Sequence, residues 1–121
     1  MNFPNLVVGR ILFALPFLIF GLFHFTGADS MAGMVPGWLP GGVLWVYLTG
    51  IGLVAAPIAV LTGKKAALAC QLLAVMLIAF VLTVHVPGFM AGGEGALLSL
   101  ISILKDTSMA GGALLMAHLS K

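Results

Sequence analysis

Long apolar runs, separated by short polar or glycine-rich stretches, make up almost the whole chain. Each of the four longest is roughly 20 residues long, which is enough for a helix to cross a hydrocarbon core of roughly 30 Å. They lie at about residues 6–26, 43–62, 66–86 and 96–119. This pattern predicts a single domain over residues 1–121, an all-α integral membrane four-helix bundle.

The composition supports that class and excludes several others. The chain is 62% hydrophobic and only 7% charged, with a mean hydropathy of +1.25. Its one cysteine, Cys70, excludes an internal disulfide, a CxxC redox pair and a thiolate metal cluster within one chain. There is no phosphate loop, dinucleotide fingerprint or nucleophile triad. The net charge of +2 rests on few residues and predicts no nucleic-acid partner.

Basic residues cluster at one end of the predicted bundle. Lys64–Lys65 lie in the turn between the second and third runs, Lys121 ends the chain, and Arg10 lies in the first run. The other two loops contain no Lys or Arg, so the positive-inside rule predicts that both termini are cytoplasmic. The first run is too long for a signal-peptide core and contains Arg10, so we expect a retained helix.

Polar residues recur at helical spacing in the first and third runs. Each set shares one face of its helix: Arg10, Phe17, Gly21 and His24 in the first, and Gln71, Ile78 and His85 in the third. Polar groups in membrane helices face the protein interior or a wet cavity. We therefore expect both stripes to face into the bundle, with His24 and His85 at similar depth near the outer interface.

The fourth run contains an adjacent pair of opposite charges, Lys105 and Asp106. Ser99, Ser102 and Asp106 share one helix face, so Asp106 is expected to point inward, towards Arg10 and the histidines. Neighbouring residues project about 100° apart, so Lys105 is expected to reach for the outer interface or a neighbouring subunit. We expect two separate roles here rather than a self-contained ion pair.

The first outer loop contains aromatic residues that have two interpretations. Trp38 lies between two prolines in "VPGWLPGG", and Trp45 and Tyr47 follow at the start of the second run. Aromatic residues at this depth usually anchor a helix at the membrane interface. The alternative is a cap over a pocket, and the sequence leaves both open.

Small residues repeat every four positions on three of the helices. The repeats are Ala66, Cys70 and Ala74; Gly52 and Ala56; and Ser108 and Gly112. Such stripes let helices approach closely, and packing within the bundle is favoured over a contact between subunits. Whether the protein forms a homo-oligomer stays an open question.

The sequence resembles the DoxX family of small bacterial four-helix membrane proteins. The matching segments are "GRILFALPFLIFGLFHF", "VPGWLP", "YLTGIGLVAAPIAVLTGKKAALA", "FVLTVHVPGF" and "LKDTSMAGGALLMA". The resemblance implies the bacterial inner (cytoplasmic) membrane, a multi-pass topology, and a link to redox or sulfur metabolism and to partner enzymes. Some relatives carry an acidic residue early in the second helix, where this chain reads "GIGLVAA". One relative resembles a subunit of a thiosulfate:quinone oxidoreductase.

Candidate residues for a binding site or a polar network are Arg10, His24, Gln71, His85, Lys105 and Asp106.

The leading hypothesis for the function is a structural or partner subunit of a membrane complex, in contact with lipids and with a membrane or periplasmic partner protein. The second is a protein that binds a quinone-like molecule between the first, third and fourth helices. The third is an oligomeric transporter. We do not expect an enzyme acting on its own. No metal site is predicted, since His24 and His85 are only weak candidates for haem or metal ligands without further ligand residues.

Overall fold

The computed structural model describes the backbone of residues 3–120 and the side chains of residues 6–120. Lys121, one of the charges used to orient the chain, lies outside them. Within residues 3–120 the chain is all-helical, with no strand. The elements are α1 (Phe3–Thr26), α2 (Ala28–Met31), a 3-10 helix (Ala32–Met34), α3 (Val43–Thr62), α4 (Ala66–Phe80), a π-helical turn (Val81–His85), α5 (Val86–Met90) and α6 (Ala96–Leu119).

Four helical segments among the described residues are long and apolar enough to cross a membrane. They are, as the first to fourth spans, Leu6–Thr26, Val43–Thr62, Ala66–Met90 and Ala96–Leu119. Large apolar side chains also cover their outward faces, among them Leu12, Val75, Leu98 and Leu115. Water would not favour such a surface, whereas a lipid environment does. The predictions of an all-helical chain and of four helices long and apolar enough to span a membrane are confirmed within residues 3–120.

The spans pack in sequence order, α1 against α3, α3 against α4, and α4 against α6. Contacts between α1 and α6 are few by comparison, so a seam separates the first span from the fourth. One end of the bundle carries the loop of residues 27–42 and is called the loop end. The opposite end carries Lys64–Lys65 and is called the lysine end. The core consists mainly of alanines and aliphatic side chains, centred on Phe17, Val60 and Leu77.

Two glycines allow α1 and α3 to approach closely. A Cβ atom on Gly21 would lie 2.6 Å from Val54 Cγ2 and 3.1 Å from the Gly50 carbonyl oxygen. A Cβ atom on Gly50 would lie 2.7 Å from the Cβ atom of His24. These contacts leave no room for a side chain, and they hold the His24 turn of α1 directly against α3.

The third span is longer than the sequence pattern predicts. We expected it to end near residue 86, before Pro87, but the helix continues to Met90. Pro87 lies in the first turn of α5, where its missing N–H needs no helical partner. The π-helical turn Val81–His85 comes directly before it, and the Thr83 hydroxyl donates to the Ala79 carbonyl over 2.7 Å. The span therefore passes the proline without ending.

The same wide turn overturns the predicted stripe of Gln71, Ile78 and His85. Gln71 is exposed and Ile78 is 40% exposed, whereas His85 is half-buried. A π-turn adds one residue to the helical repeat, which rotates the residues after it by about 100° relative to those before it. Residues on either side of Val81–His85 therefore do not share the helix face that their spacing predicts, and Gln71 does not face the bundle.

Two of the three repeats of small residues pack within the bundle. Ala66, Cys70 and Ala74 belong to the buried core. A Cβ atom on Gly52 would lie 3.3 Å from the sulfur of Met76. These contacts agree with the interpretation that these two repeats serve packing inside the bundle. In the third repeat, Ser108 is exposed.

Candidate functional site

A hydrogen bond joins the third and fourth spans. The His85 Nε2 atom lies 3.1 Å from Asp106 Oδ2, and the Asp106 side chain is only 6% exposed. A carboxylate can only accept, so Nε2 donates, and the Nδ1 atom of His85 stays available to another group. Asp106 points inward, as the helical spacing predicts, and the π-turn supplies its partner.

Lys105 does not point away from Asp106, contrary to our expectation. Its Nζ atom lies 3.3 Å from Asp106 Oδ1 and 4.9 Å from the centroid of the Phe20 ring. Adjacent residues leave a helix about 100° apart, but a flexible stem of four methylenes is long enough to turn back. The Lys105 side chain is 48% exposed, so its stem covers the rim of the site while its charge pairs inward.

His85, Lys105 and Asp106 are called the carboxylate cluster below. Both oxygens of the Asp106 carboxylate are occupied, one by each neighbour. The negative charge of Asp106 is offset by the ammonium of Lys105, so the two together are electrically neutral when His85 is neutral. Lys105 keeps N–H groups free to donate to a ligand, and His85 keeps Nδ1.

The cluster lies in the wall of a cavity of about 520 Å³ at the loop end of the bundle. All four spans and the first loop line the cavity, whereas the sequence predicted a pocket between the first, third and fourth spans. The second span contributes Val46, Thr49 and Leu53. The remaining walls are mostly large apolar and aromatic side chains, including Phe23, Met76 and Phe80. Sequence reasoning did not identify these residues, because apolar residues that line a cavity look like core residues.

The first loop lies over this cavity. Met34, Trp38 and Leu39 line it, although Trp38 is 75% exposed. The Nε1 atom of Trp45 donates to the Pro40 carbonyl and ties the loop to the start of α3. Trp38 thus lines the cavity while most of its side chain is exposed, and the cap and anchor interpretations both stay predictions.

His24 lines the same cavity as His85, on the first span. Its Nδ1 atom lies 2.7 Å from the Phe20 carbonyl oxygen, and since a carbonyl accepts, Nδ1 donates. Neutral His24 then offers its Nε2 atom as an acceptor. Within residues 3–120 no group of three or more His, Cys, Asp and Glu side chains is placed to hold a metal ion.

Arg10 and Gln71 lie away from the cluster. Arg10 Nη1 donates to the Val60 carbonyl over 3.4 Å, towards the lysine end. Arg10 is about 15 Å along α1 from Phe20, at 1.5 Å per residue. The expectation that Asp106 looks towards Arg10 is therefore wrong. Arg10 lies against the second span, and Gln71 is exposed on the third span. Neither residue lines the cavity.

A second void lies in the seam between α1 and α6. It has a volume of about 410 Å³ and opens on the side of the bundle. It is called the seam groove, and its lining is Leu12, Phe13, Pro16, Phe17, Phe20, Lys105, Ser108, Met109 and Gly112.

Comparison with known families gives one match. The chain belongs to the family described as Domain of unknown function (DUF8561), whose model matches residues 13–95. The matched segment contains His24 and His85 and ends before Lys105 and Asp106. Neither the comparison with curated proteins nor the comparison with solved structures gave a match.

Proposed function

We propose that this member of the DUF8561 family binds a small, uncharged, lipophilic molecule with a hydrogen-bond acceptor, such as a quinone, in the loop-end cavity. The observation that carries the proposal is the buried Asp106 carboxylate, bonded to His85 and Lys105, in the wall of a largely apolar cavity. Apolar pockets of about 300–1,000 Å³ with a few convergent polar groups are the usual form of small-molecule sites. The cavity, at about 520 Å³, falls in that range.

The charge balance of the site favours a neutral ligand. Asp106 offsets Lys105, so an anionic ligand would have to compete with the carboxylate for the ammonium. A carbonyl oxygen needs only one donor, and Lys105 has N–H groups left after its bond to Asp106. An aromatic or quinonoid ring also suits walls built from Phe23, Phe80 and Met76.

The resemblance to the DoxX family supports the same proposal from the sequence. It implies a redox-linked role, a location in the bacterial inner membrane, and cytoplasmic termini. These remain parts of the proposal. The proposal concerns binding, and it assigns no electron transfer to the chain itself.

The test is binding of a tail-less quinone ring, menadione, to the purified protein in detergent. Trp38 and Trp45 line the cavity, so quenching of tryptophan fluorescence reports occupancy directly. Solvent extraction and mass spectrometry of the protein as isolated identify any ligand that copurifies. Saturable quenching is expected. Absence of both saturable quenching and a copurified ligand would contradict the proposal.

Lys105→Met sharpens the test because it keeps the stem and removes the donor. Hydrogen bonds to charged groups contribute about 1.5–3 kcal/mol, so the affinity for menadione should fall about tenfold or more. Gln71→Leu is the matched control, since it removes a polar group from the third span outside the cavity. Its affinity should equal that of the wild type.

The other two functions stay predictions from the sequence. A partner subunit of a membrane complex is compatible with a ligand site, and an oligomeric transporter would need several copies of this bundle.

A further inference from the structure

We infer that the ligand of the loop-end cavity carries a hydrocarbon chain, and that this chain leaves the cavity sideways and lies in the seam groove. The inference rests on the proposed function and adds a ligand class to it: a polar head with an extended apolar tail.

The two voids share part of their walls. Phe20, Lys105 and Met109 line both the cavity and the seam groove. On α1 the cavity wall runs from Phe20 to His24, whereas the groove runs from Phe20 back to Leu12. The groove therefore continues the cavity towards the lysine end, over about 12 Å of helix at 1.5 Å per residue.

The groove has the chemistry of a site for a chain. Its walls are apolar except for Lys105 and Ser108. Lys105 pairs its charge with Asp106, and its Nζ atom also lies 4.9 Å from the centroid of the Phe20 ring, so the ammonium lies at the junction of the two voids. A head group bonded to the cluster would thus lie directly beside the entrance to the groove.

The groove is too narrow for a helix. A Cβ atom on Gly112 would lie 3.6 Å from Phe13 Cε1, so the Phe13 ring packs close to the α6 backbone. A helix with its side chains has a diameter of about 10–12 Å, which cannot enter between two elements this close. A single hydrocarbon chain suits a void of about 410 Å³ with apolar walls, because it has no polar group that needs a partner.

The groove should allow a ligand with a tail to enter the cavity, but contacts between the tail and the groove should add little to the affinity. Lipid chains are as apolar as the groove, so moving a tail from the bilayer into the groove gains little free energy. A side chain that fills the groove, however, forces a tailed ligand out or bends its tail. The discriminating measurement is therefore the affinity of a groove-filling variant for a ligand with a tail, compared with its affinity for a ligand without one.

The experiment compares menadione with a derivative that carries a decyl chain, in wild type, Gly112→Leu and Gly111→Leu. Gly112 faces the groove, while a Cβ atom on Gly111 meets nothing within 4 Å, so Gly111→Leu is the matched control. Gly112→Leu should weaken binding of the decyl derivative at least tenfold and leave menadione within twofold. Gly111→Leu should change neither. Equal effects on both ligands, or no effect on either, would overturn the inference.

A second measurement needs no variant. A decyl derivative with a photoreactive group at the end of the chain is bound to wild type, irradiated and mapped by mass spectrometry. Labels on α1 and α6 around Leu12, Pro16 and Ser108 are expected. Labels confined to residues 31–39 would place the tail at the loop end and overturn the inference. Binding of menadione with no binding of the decyl derivative would also overturn it, whereas failure of both ligands would overturn the proposed function itself.

Discussion

His85 on the third span donates a hydrogen bond from Nε2 to Asp106 Oδ2 on the fourth span, over 3.1 Å. The bond lies next to the loop-end cavity, at the point where a π-helical turn rotates His85 inward. It therefore links a backbone irregularity, the packing of two spans and the candidate ligand site. In a lipid environment a buried carboxylate without partners is costly, so both neighbours of Asp106 should contribute to the fold as well as to binding.

We predict a coupling between His85 and Asp106. Unfolding of His85→Ala, Asp106→Asn and the double variant in mixed micelles should give an interaction energy of about 0.5–3 kcal/mol. The control is the same cycle with His24→Ala, because His24 lines the same cavity but bonds to its own helix. A His85–Asp106 coupling no larger than that of the His24 cycle would show that the hydrogen bond does not join the spans.

We predict that Lys105→Met destabilises the protein more than Asp106→Asn does. Removing Lys105 leaves a carboxylate with a side chain only 6% exposed, whereas removing the charge of Asp106 leaves an ammonium that is 48% exposed and free to reach the interface. The difference in the free energy of unfolding should be about 1 kcal/mol or more. Detergent-induced unfolding of both variants measures it, with Gln71→Leu as the surface control. An equal loss in the two variants would argue against this asymmetry.

Gly21→Ala should destabilise the bundle by about 1–3 kcal/mol, because overpacking forces apart elements that are already in contact. The added methyl group would collide with Val54, including its backbone nitrogen at 3.0 Å. Gly9→Ala on the same helix meets nothing within 4 Å and should have little effect. Unfolding midpoints of the two variants test this. The close packing of α1 on α3 would be in doubt if both behaved alike.

Trp45→Phe should loosen the first loop without unfolding the protein. It removes the hydrogen bond to the Pro40 carbonyl, which contributes about 1 kcal/mol. Amide exchange in residues 36–42 should accelerate about fivefold, measured by hydrogen–deuterium exchange and mass spectrometry. Tyr47→Phe is the control, because it leaves the bond to Pro40 in place. Unchanged exchange in the Trp45→Phe variant would mean that this bond does not hold the loop over the cavity.

The inward position of Asp106 and of the Arg10–His24 stripe could be predicted because α1 and α6 are regular helices. In such helices the angle between two residues follows from their separation along the chain. The prediction for Gln71 failed because the third span is not regular, and the wide turn before Pro87 gives no hydropathy signal. The prediction for Lys105 failed because helical spacing fixes the direction of the Cβ atom and not the position of a long flexible side chain.

The sequence by itself determined four apolar spans, the all-helical class and the set of ionisable residues within the spans. It did so because a chain in lipid must satisfy its backbone internally, and long apolar runs then leave a helix as the solution. Only the tertiary structure decided that His85 and Lys105, rather than Arg10, are the partners of Asp106. It also decided that a cavity and a groove meet at Phe20. These outcomes depend on one rotated turn and on the packing order of the helices, which hydrophobic periodicity does not encode.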